Sequence, residues 1–337
     1  IHFLNVLEGD CNIIQHDSGR ITVIDVSNAF NDIDTEEEKK VKTSKEREER
    51  RLRTMVPSGK VDYKQKETPD NPILYLRERI KPTEIFRFII THPDMDHLDG
   101  IKDLYEEYSV WNTWDTDNKK ELDLESFGGG YNKEDWIFYK NLRDGQYKNT
   151  KRLTYYDSND CLYWNQDNFK ILTPSPQLLK KAIEKGDYND SSYSILFTPP
   201  KIDGGKWKIL FGGDTQDESW NHIIEKYKKD LGKIDVLFAP HHGRDSDRDY
   251  TFLETLEPKV TLLGNASSKH LAYDKYPNPK ITNNQAGYVV LDIKKTYITF
   301  YVKNYEFAKD YKHKKGWSEP QKNNEFDAFD LFRINAK

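Results

Sequence analysis

The chain has 337 residues, 36% of them hydrophobic, with 52 Lys and Arg set against 57 Asp and Glu for a net charge of −5. That length suits one large α/β domain or two small ones, and the mild acidity excludes a protein that binds nucleic acid through overall positive charge, so a nucleic-acid substrate would need a local basic groove. No apolar run approaches the roughly 18–20 residues of a transmembrane helix, and the two cysteines, Cys11 and Cys161, read as buried thiols of a cytoplasmic protein rather than a disulfide.

Short apolar alternations predict strands over residues 2–7, 12–16 and 21–26. Residues 33–54, dense in Glu, Lys and Arg, read as a solvated charged helix, and 55–70, with Pro57, Gly59 and Pro69, as a loop. Arg47, Arg50, Arg51 and Arg53 could make this segment a lid or a nucleic-acid contact; a surface insertion whose arginines pair with its own glutamates is the simpler reading. A helix is expected over 72–80, a strand over 85–90 and a helix over 98–108. Residues 112–160 show no clear period; there Trp114, Tyr131 and Trp136, with Trp111 just before, offer either core or stacking surfaces for bases and sugars. Strands at 169–172 and 193–197 flank a helix at 176–185, strand and helix then alternate to about residue 257, and strands at 289–293 and 297–302 close the pattern.

Four patches repeat one design, a buried strand followed by metal-ligand side chains. The first is Thr91-His92-Pro93-Asp94-Met95-Asp96-His97, with His92, Asp94, Asp96 and His97 inside six positions. Imidazole and carboxylate are the ligands of hydrolytic divalent-metal sites, and the C-terminal ends of strands are where α/β proteins place them. The second, Gly212-Gly213-Asp214-Thr215, taken alone is also a turn with a helix cap. The third is Pro240-His241-His242-Gly243, and the fourth runs from Gly264 to His270. Together they predict one composite site. Its three carboxylates, Asp94, Asp96 and Asp214, leave net positive charge if two divalent ions bind, which favours a hydroxide near neutral pH.

These motifs resemble the metallo-β-lactamase-fold hydrolases, and within them the branch typified by the soluble domain of the competence protein ComEC. His92, Asp94, Asp96 and His97 fit that branch's H-x-D-x-D-H; Phe3-Leu4-Asn5-Val6-Leu7-Glu8-Gly9-Asp10-Cys11 is similar to its opening, and Val23-Ile24-Asp25-Val26-Ser27 to its L-I-D-T-G. Asn189-Asp190-Ser191-Ser192 resembles its N-x-x-S and Pro240-His241-His242-Gly243 its P-H-H-G. Asn5, Leu7 and Ser27 depart from the pattern, and no histidine lies between His97 and His222, where Asn189 holds the corresponding region.

The resemblance implies a four-layered α/β/β/α sandwich over residues 1–303, with the insertion at 32–70 and an extension at 304–337 outside the shared pattern. It implies two divalent ions, Zn²⁺ or Mn²⁺ with Mg²⁺ also suited. Asp214 would bridge them, His92 and Asp94 would hold one, and Asp96, His97 and His270 the other. Asp96, His241 and His242 are the candidate catalytic residues, His242 donating to the substrate oxyanion or leaving oxygen, with Asn189 an additional site residue. Exchange of imidazole for oxygen ligands at Asp94 and Asn189 predicts stimulation by Mn²⁺ and ready loss of one ion. The activity expected is that of a nuclease or phosphodiesterase. The alternatives are an ester, thioester or lactone hydrolase, or a metal-binding subunit of a multi-protein defence or DNA-uptake system with a protein partner that the sequence does not identify.

Overall fold

The computed structural model describes residues 1–6, 8–31, 45, 48, 49, 60–157, 167–266 and 271–336. The expected charged helix and its arginines, Cys161 and His270 fall outside these, apart from helical residues at 45, 48 and 49.

The chain begins with an antiparallel meander, β1 (His2–Phe3), β2 (Asn12–Gln15) and β3 (Ile21–Ile24). Helix α1 (Pro72–Tyr75), continued by a π-helical turn over Leu76–Ile80, leads to β4 (Ile85–Ile89), which pairs in parallel with β3. Helix α2 (Ile101–Glu107), β5 (Val110–Trp114), α3 (Lys133–Arg143) and β6 (Lys151–Leu153) extend this sheet in parallel. The stretch from 112 to 160 that lacks periodicity therefore contains the end of one strand, a helix and a further strand.

A second sheet opens with β7 (Phe169–Thr173), α4 (Pro176–Lys185) and β8 (Ser194–Phe197). It continues through β9 (Ile209–Phe211), α5 (Asp217–Leu231), β10 (Val236–Phe238), α6 (Phe252–Leu256), β11 (Val260–Leu263) and β12 (Lys280–Thr282). Its order is β12-β11-β10-β9-β8-β7, and β9 to β12 are parallel. After α7 (Asn283–Ala286), the chain returns to the first sheet as β13 (Val289–Ile293) and β14 (Tyr297–Val302). The final stretch adds α8 (Tyr305–Lys314), β15 (Lys322–Asn323) and β16 (Ala328–Asn335), with β16 paired along β14, so it completes the sheet rather than hanging from it.

Three apolar clusters define the layers. Side chains alternate along a strand, so a strand buried on both faces feeds two cores. Ile24, Ile89 and Trp114 point between the sheets, where they meet Ile171, Ile195, Ile209, Phe211 and Phe238. Their neighbours Val23 and Phe88 point the other way, onto Ile73, Leu76, Leu104 and Trp136 of the outer helices. On the far side Leu196, Leu210 and Leu237 pack on Trp220, Ile223, Leu231 and Phe252. One core between the sheets and one outside each sheet make a four-layered α/β/β/α sandwich.

Strands β4, β9, β10 and β11 all run in parallel ladders, so their C-terminal ends gather at one edge of the sandwich. The two sheets are linked there by a hydrogen bond of 3.0 Å from the Tyr193 N–H to the Thr91 carbonyl. Among the described residues no helix is long and apolar enough to cross a membrane.

Candidate metal centre

The first ligand patch is shaped by Asp25, at the end of β3. One of its carboxylate oxygens accepts the Thr91 N–H at 2.7 Å and the other the Thr91 hydroxyl at 2.7 Å. The same Oδ2 lies 2.8 Å from His97 Nδ1. A carboxylate on one ring nitrogen fixes the imidazole's orientation and directs the other nitrogen, here Nε2, at the site. A short 3₁₀ turn over Met95–His97, anchored by the buried Met95, sets Asp96 and His97 side by side.

The second patch needs a close approach of chains. Gly213 has φ of +55°, and a Cβ there would lie 2.6 Å from the Tyr193 carbonyl oxygen. Glycine is what lets β9 end under the inter-sheet link and hold Asp214 buried in the centre. The third patch is strained: His241 and His242 both have left-handed backbone, at φ of 53° and 57°. Such a conformation in consecutive non-glycine residues is costly and recurs at functional sites. Here it turns both imidazoles toward Asp214, while the His241 N–H bonds to the Gly213 carbonyl at 2.8 Å.

Asp214 Oδ2 is the meeting point. It lies 3.4 Å from His97 Nε2, 3.4 Å from His242 Nε2, 3.6 Å from His241 Nε2 and 3.8 Å from His92 Nε2. Asp96 Oδ2 is 3.8 Å from His97 Nε2 and 3.5 Å from His242 Nε2. Asp96, His97, Asp214 and His242 each offer a ligand atom, all within 4.8 Å of one another. The Nε2 atoms of His92, His97 and His242 and Oδ1 of Asp214 are buried without a hydrogen-bond partner. Buried polar atoms are rarely left so. Separations of 3.4–3.8 Å are long for hydrogen bonds, but they suit the edge of a tetrahedral shell whose bonds are about 2.0–2.1 Å. The residues present therefore fit a divalent ion.

The electrostatics agree. Burial disfavours charge on His97, but Asp214, Asp25 and Asp96 outweigh it and hold the imidazole well above its ordinary pKa. Burial likewise opposes charge on His242, where Asp214 and Asp10 prevail in the same direction; Asp10 Oδ1 is 3.2 Å from its Nδ1. Burial of Asp214 is overcome by His242, His97, His241 and His92, which push its carboxyl well below the usual range. His92 moves down through burial and the neighbouring His97, and burial takes His241 down to about 4.

The residues expected from sequence are not all equally placed. His92 and Asp94 stand outside the quartet whose ligand atoms all lie within 4.8 Å of one another, His92 Nε2 being 3.7 Å from Asp94 Oδ2 and 3.8 Å from Asp214 Oδ2. His242, read from sequence as a donor to substrate, stands with the ligand quartet. Asn189 is half-buried on the rim of the cleft over the site, and His270 lies outside the described residues. Of the aromatic residues, Trp114 and Trp136 are core and Trp111 is 58% exposed, which leaves Tyr131 on the cleft wall. The supporting roles of Asp10 and Asp25 were visible only as motif letters. Lys120, which ion-pairs with Asp94, had no sequence signal at all.

The cleft has a volume of about 990 Å³ and is lined by Glu8, Asp94, Asp96, Asp214, Asp245 and Asp247 against Arg244, among others. An anionic substrate is repelled by such a wall unless a cation is present. One wall depends on Asp190, whose Oδ1 accepts the N–H groups of Gln216 and Ser219 at 3.0 Å each and so caps α5 beside Asp214. Asp190→Ala should lower stability by about 1–2 kcal/mol, measured by denaturant unfolding; an unchanged midpoint would show that this cap is dispensable.

No protein-family model matches the chain. It is similar to Recombination protein 2 of Haemophilus influenzae, at 31% identity over 101 residues, which is 30% of this chain and 11% of that protein. The matched stretch is thus about a tenth of the length of that curated relative. Among solved structures, a variant of the CmlA β-hydroxylase matches 77% of this chain and 45% of its own at 13% identity and a TM-score of 0.39. Igni18, a metallo hydrolase of the archaeon Ignicoccus hospitalis, matches 84% and 88% at 12% identity and a TM-score of 0.35. At these values the layering and topology, not the likenesses, carry the fold.

Proposed function

We propose that the chain is a metal-dependent hydrolase of the metallo-β-lactamase type, in the ComEC-like branch, and that it cleaves phosphodiesters in nucleic acid. The observation that carries this reading is the convergence of the Asp96, His97 and His242 ligand atoms on Asp214, from loops far apart in sequence, with the Nε2 atoms of both histidines buried and without a hydrogen-bond partner. Cleavage of nucleic acid is suggested by the H-x-D-x-D-H pattern and by the name of the H. influenzae relative.

A divalent ion on Asp96, His97, Asp214 and His242 would acidify water and neutralise charge developing on the substrate. The chain's own groups do the rest. Asp25 is hydrogen-bonded to the outer ring nitrogen of His97 at 2.8 Å, and the Asp10 carboxylate lies 3.2 Å from that of His242. His241 is a neutral imidazole at physiological pH, and its Nδ1 lies 3.2 Å from the Ser246 hydroxyl. With that hydroxyl donating to Nδ1, Nε2 keeps its proton and can donate a hydrogen bond to a leaving oxygen. The Asn189 amide on the rim can donate to a phosphate oxygen, and Tyr131 offers a ring face for a base.

The deciding experiment incubates the chain with Mn²⁺, Mg²⁺ or Zn²⁺ separately and offers labelled single- and double-stranded DNA, RNA, bis-p-nitrophenyl phosphate and a carboxylic ester. Turnover of phosphodiesters, strongest with Mn²⁺ because carboxylate oxygens favour harder ions, is the expected result. Turnover of the ester alone selects an ester or lactone hydrolase, and bound metal with no turnover selects a binding subunit.

A further inference from the structure

Asp94 is the residue of the first patch that already has a cation. Its Oδ1 lies 2.5 Å from the Nζ of Lys120, while its Oδ2 faces His92 Nε2 at 3.7 Å. Lys120 is far from Asp94 in sequence and sits in the loop after β5, yet it is delivered firmly. Asn118, buried beneath the loop, donates to the Tyr139 hydroxyl at 2.6 Å, and its Oδ1 accepts the Lys120 N–H at 3.2 Å. Arg143 Nη1 donates to the Lys120 carbonyl at 2.5 Å. The backbone is therefore gripped on both sides of Lys120, and its side chain is only 18% exposed, less than the 35% of Asp94.

The charges are informative. Asp94, Asp96 and Asp214 carry three negative charges at the site, and one divalent ion plus one ammonium carries three positive. A second divalent ion at His92 and Asp94 would share a carboxylate with the ammonium and would be repelled by it at short range. Among the described residues the carboxylates of the deep quartet pair only with histidines, and its four ligand atoms fall within 4.8 Å of one another.

We propose that the Lys120 ammonium takes the place of a second metal ion: the site holds one tightly bound divalent cation in the Asp96, His97, Asp214 and His242 quartet, and Lys120 supplies the second positive centre beside Asp94. Lys120 is thus a positioning residue that fixes the metal stoichiometry and neutralises Asp94, whose charge would otherwise repel a substrate phosphate. This rests on the hydrolase reading for its purpose, but its test is a binding measurement.

The test counts metal in the full chain after chelator stripping and dialysis against Zn²⁺ or Mn²⁺. Wild type and Lys120→Arg should each retain one equivalent. Lys120→Ala and Lys120→Met, the second of which keeps most of the aliphatic stem, should take up a second equivalent, with the second ion bound at least about tenfold more tightly than in wild type. With Mn²⁺ the two Lys120-neutral variants alone should show the paramagnetic coupling of a metal pair. Matching thermal unfolding curves confirm that the variants are folded. Two tight equivalents in wild type overturn the inference and leave the hydrolase reading standing, as does a single equivalent in all four proteins with no change in second-ion affinity. No metal bound to wild type overturns both.

Discussion

Asp214→Ala is expected to lose its metal and to lower turnover by at least about a thousandfold, since a catalytic ion stabilises the transition state by several kcal/mol. Four imidazole nitrogens stand 3.4–3.8 Å from one oxygen of this carboxylate, and among the described residues no other carboxylate is so placed. The measurements are metal content after gel filtration and initial rate on the best phosphodiester. An Asp214→Ala protein that keeps wild-type metal and rate would remove this carboxylate from the site. His242→Ala separates two roles. The sequence alone suggests a donor to substrate, whose loss would slow the reaction and leave the metal in place. The Nε2 of His242, 3.5 Å from Asp96 and 3.4 Å from Asp214, instead predicts that metal is lost as well. Retention of metal with a slower rate would return His242 to the substrate role.

Gly9→Ala should be the most damaging change outside the ligands. A Cβ on Gly9 would lie 1.8 Å from the Asp96 carbonyl oxygen and 2.7 Å from its carbonyl carbon, and the residue has φ of +95°. Backbone cannot swing away as a side-chain tip can, so the opening loop or the Asp96 turn has to move. Overpacking and the left-handed backbone together should cost about 3 kcal/mol or more, and displacing Asp96 should weaken metal binding. Gly19→Ala is the control. Its φ is also positive, at +81°, but a Cβ there meets nothing within 4 Å, so it should cost only about 1 kcal/mol and leave metal affinity unchanged. Denaturant unfolding and metal titration of both variants check this. Equal losses in the two would mean that backbone conformation, not the contact with Asp96, is what matters at Gly9.

Much of this architecture is written in local sequence. The apolar runs at 85–90 and 297–302 are strands, and the helix at 176–185 begins at Pro176 with Ser175 as its cap, its hydroxyl accepting the Leu178 N–H at 3.2 Å. These elements are legible because burial on one face or both imposes a period, and caps obey local geometry. The same logic places His92 to His97, Asp214 and His241-His242 at strand ends. Local pattern fails where pairing is long-range. Residues 2–7 alternate like a strand, but among the described ones the strand is His2–Phe3, and Asn5 turns to the loop after β11 instead: Asn265 Nδ2 bonds to Asn5 Oδ1 at 2.8 Å. The 112–160 stretch hides α3 because its apolar buried face, Trp136, Tyr139 and Leu142, is narrow, and Ile137 and Phe138 break the period among charged neighbours.

The sequence by itself determined which side chains could hold a metal and that they follow strands, since residue chemistry and hydrophobic period are properties of short segments. The tertiary structure decided which of them stand close enough to share an ion. It set His242 with Asp96, His97 and Asp214, put Asp25 and Asp10 behind the histidines, and brought Lys120 to Asp94 across 26 positions. The reason is physical: ligand sharing depends on distances of a few ångströms between loops of different strands, and those distances are fixed by sheet order, by the close approach at Gly9 and Gly213, and by the strained backbone at His241 and His242.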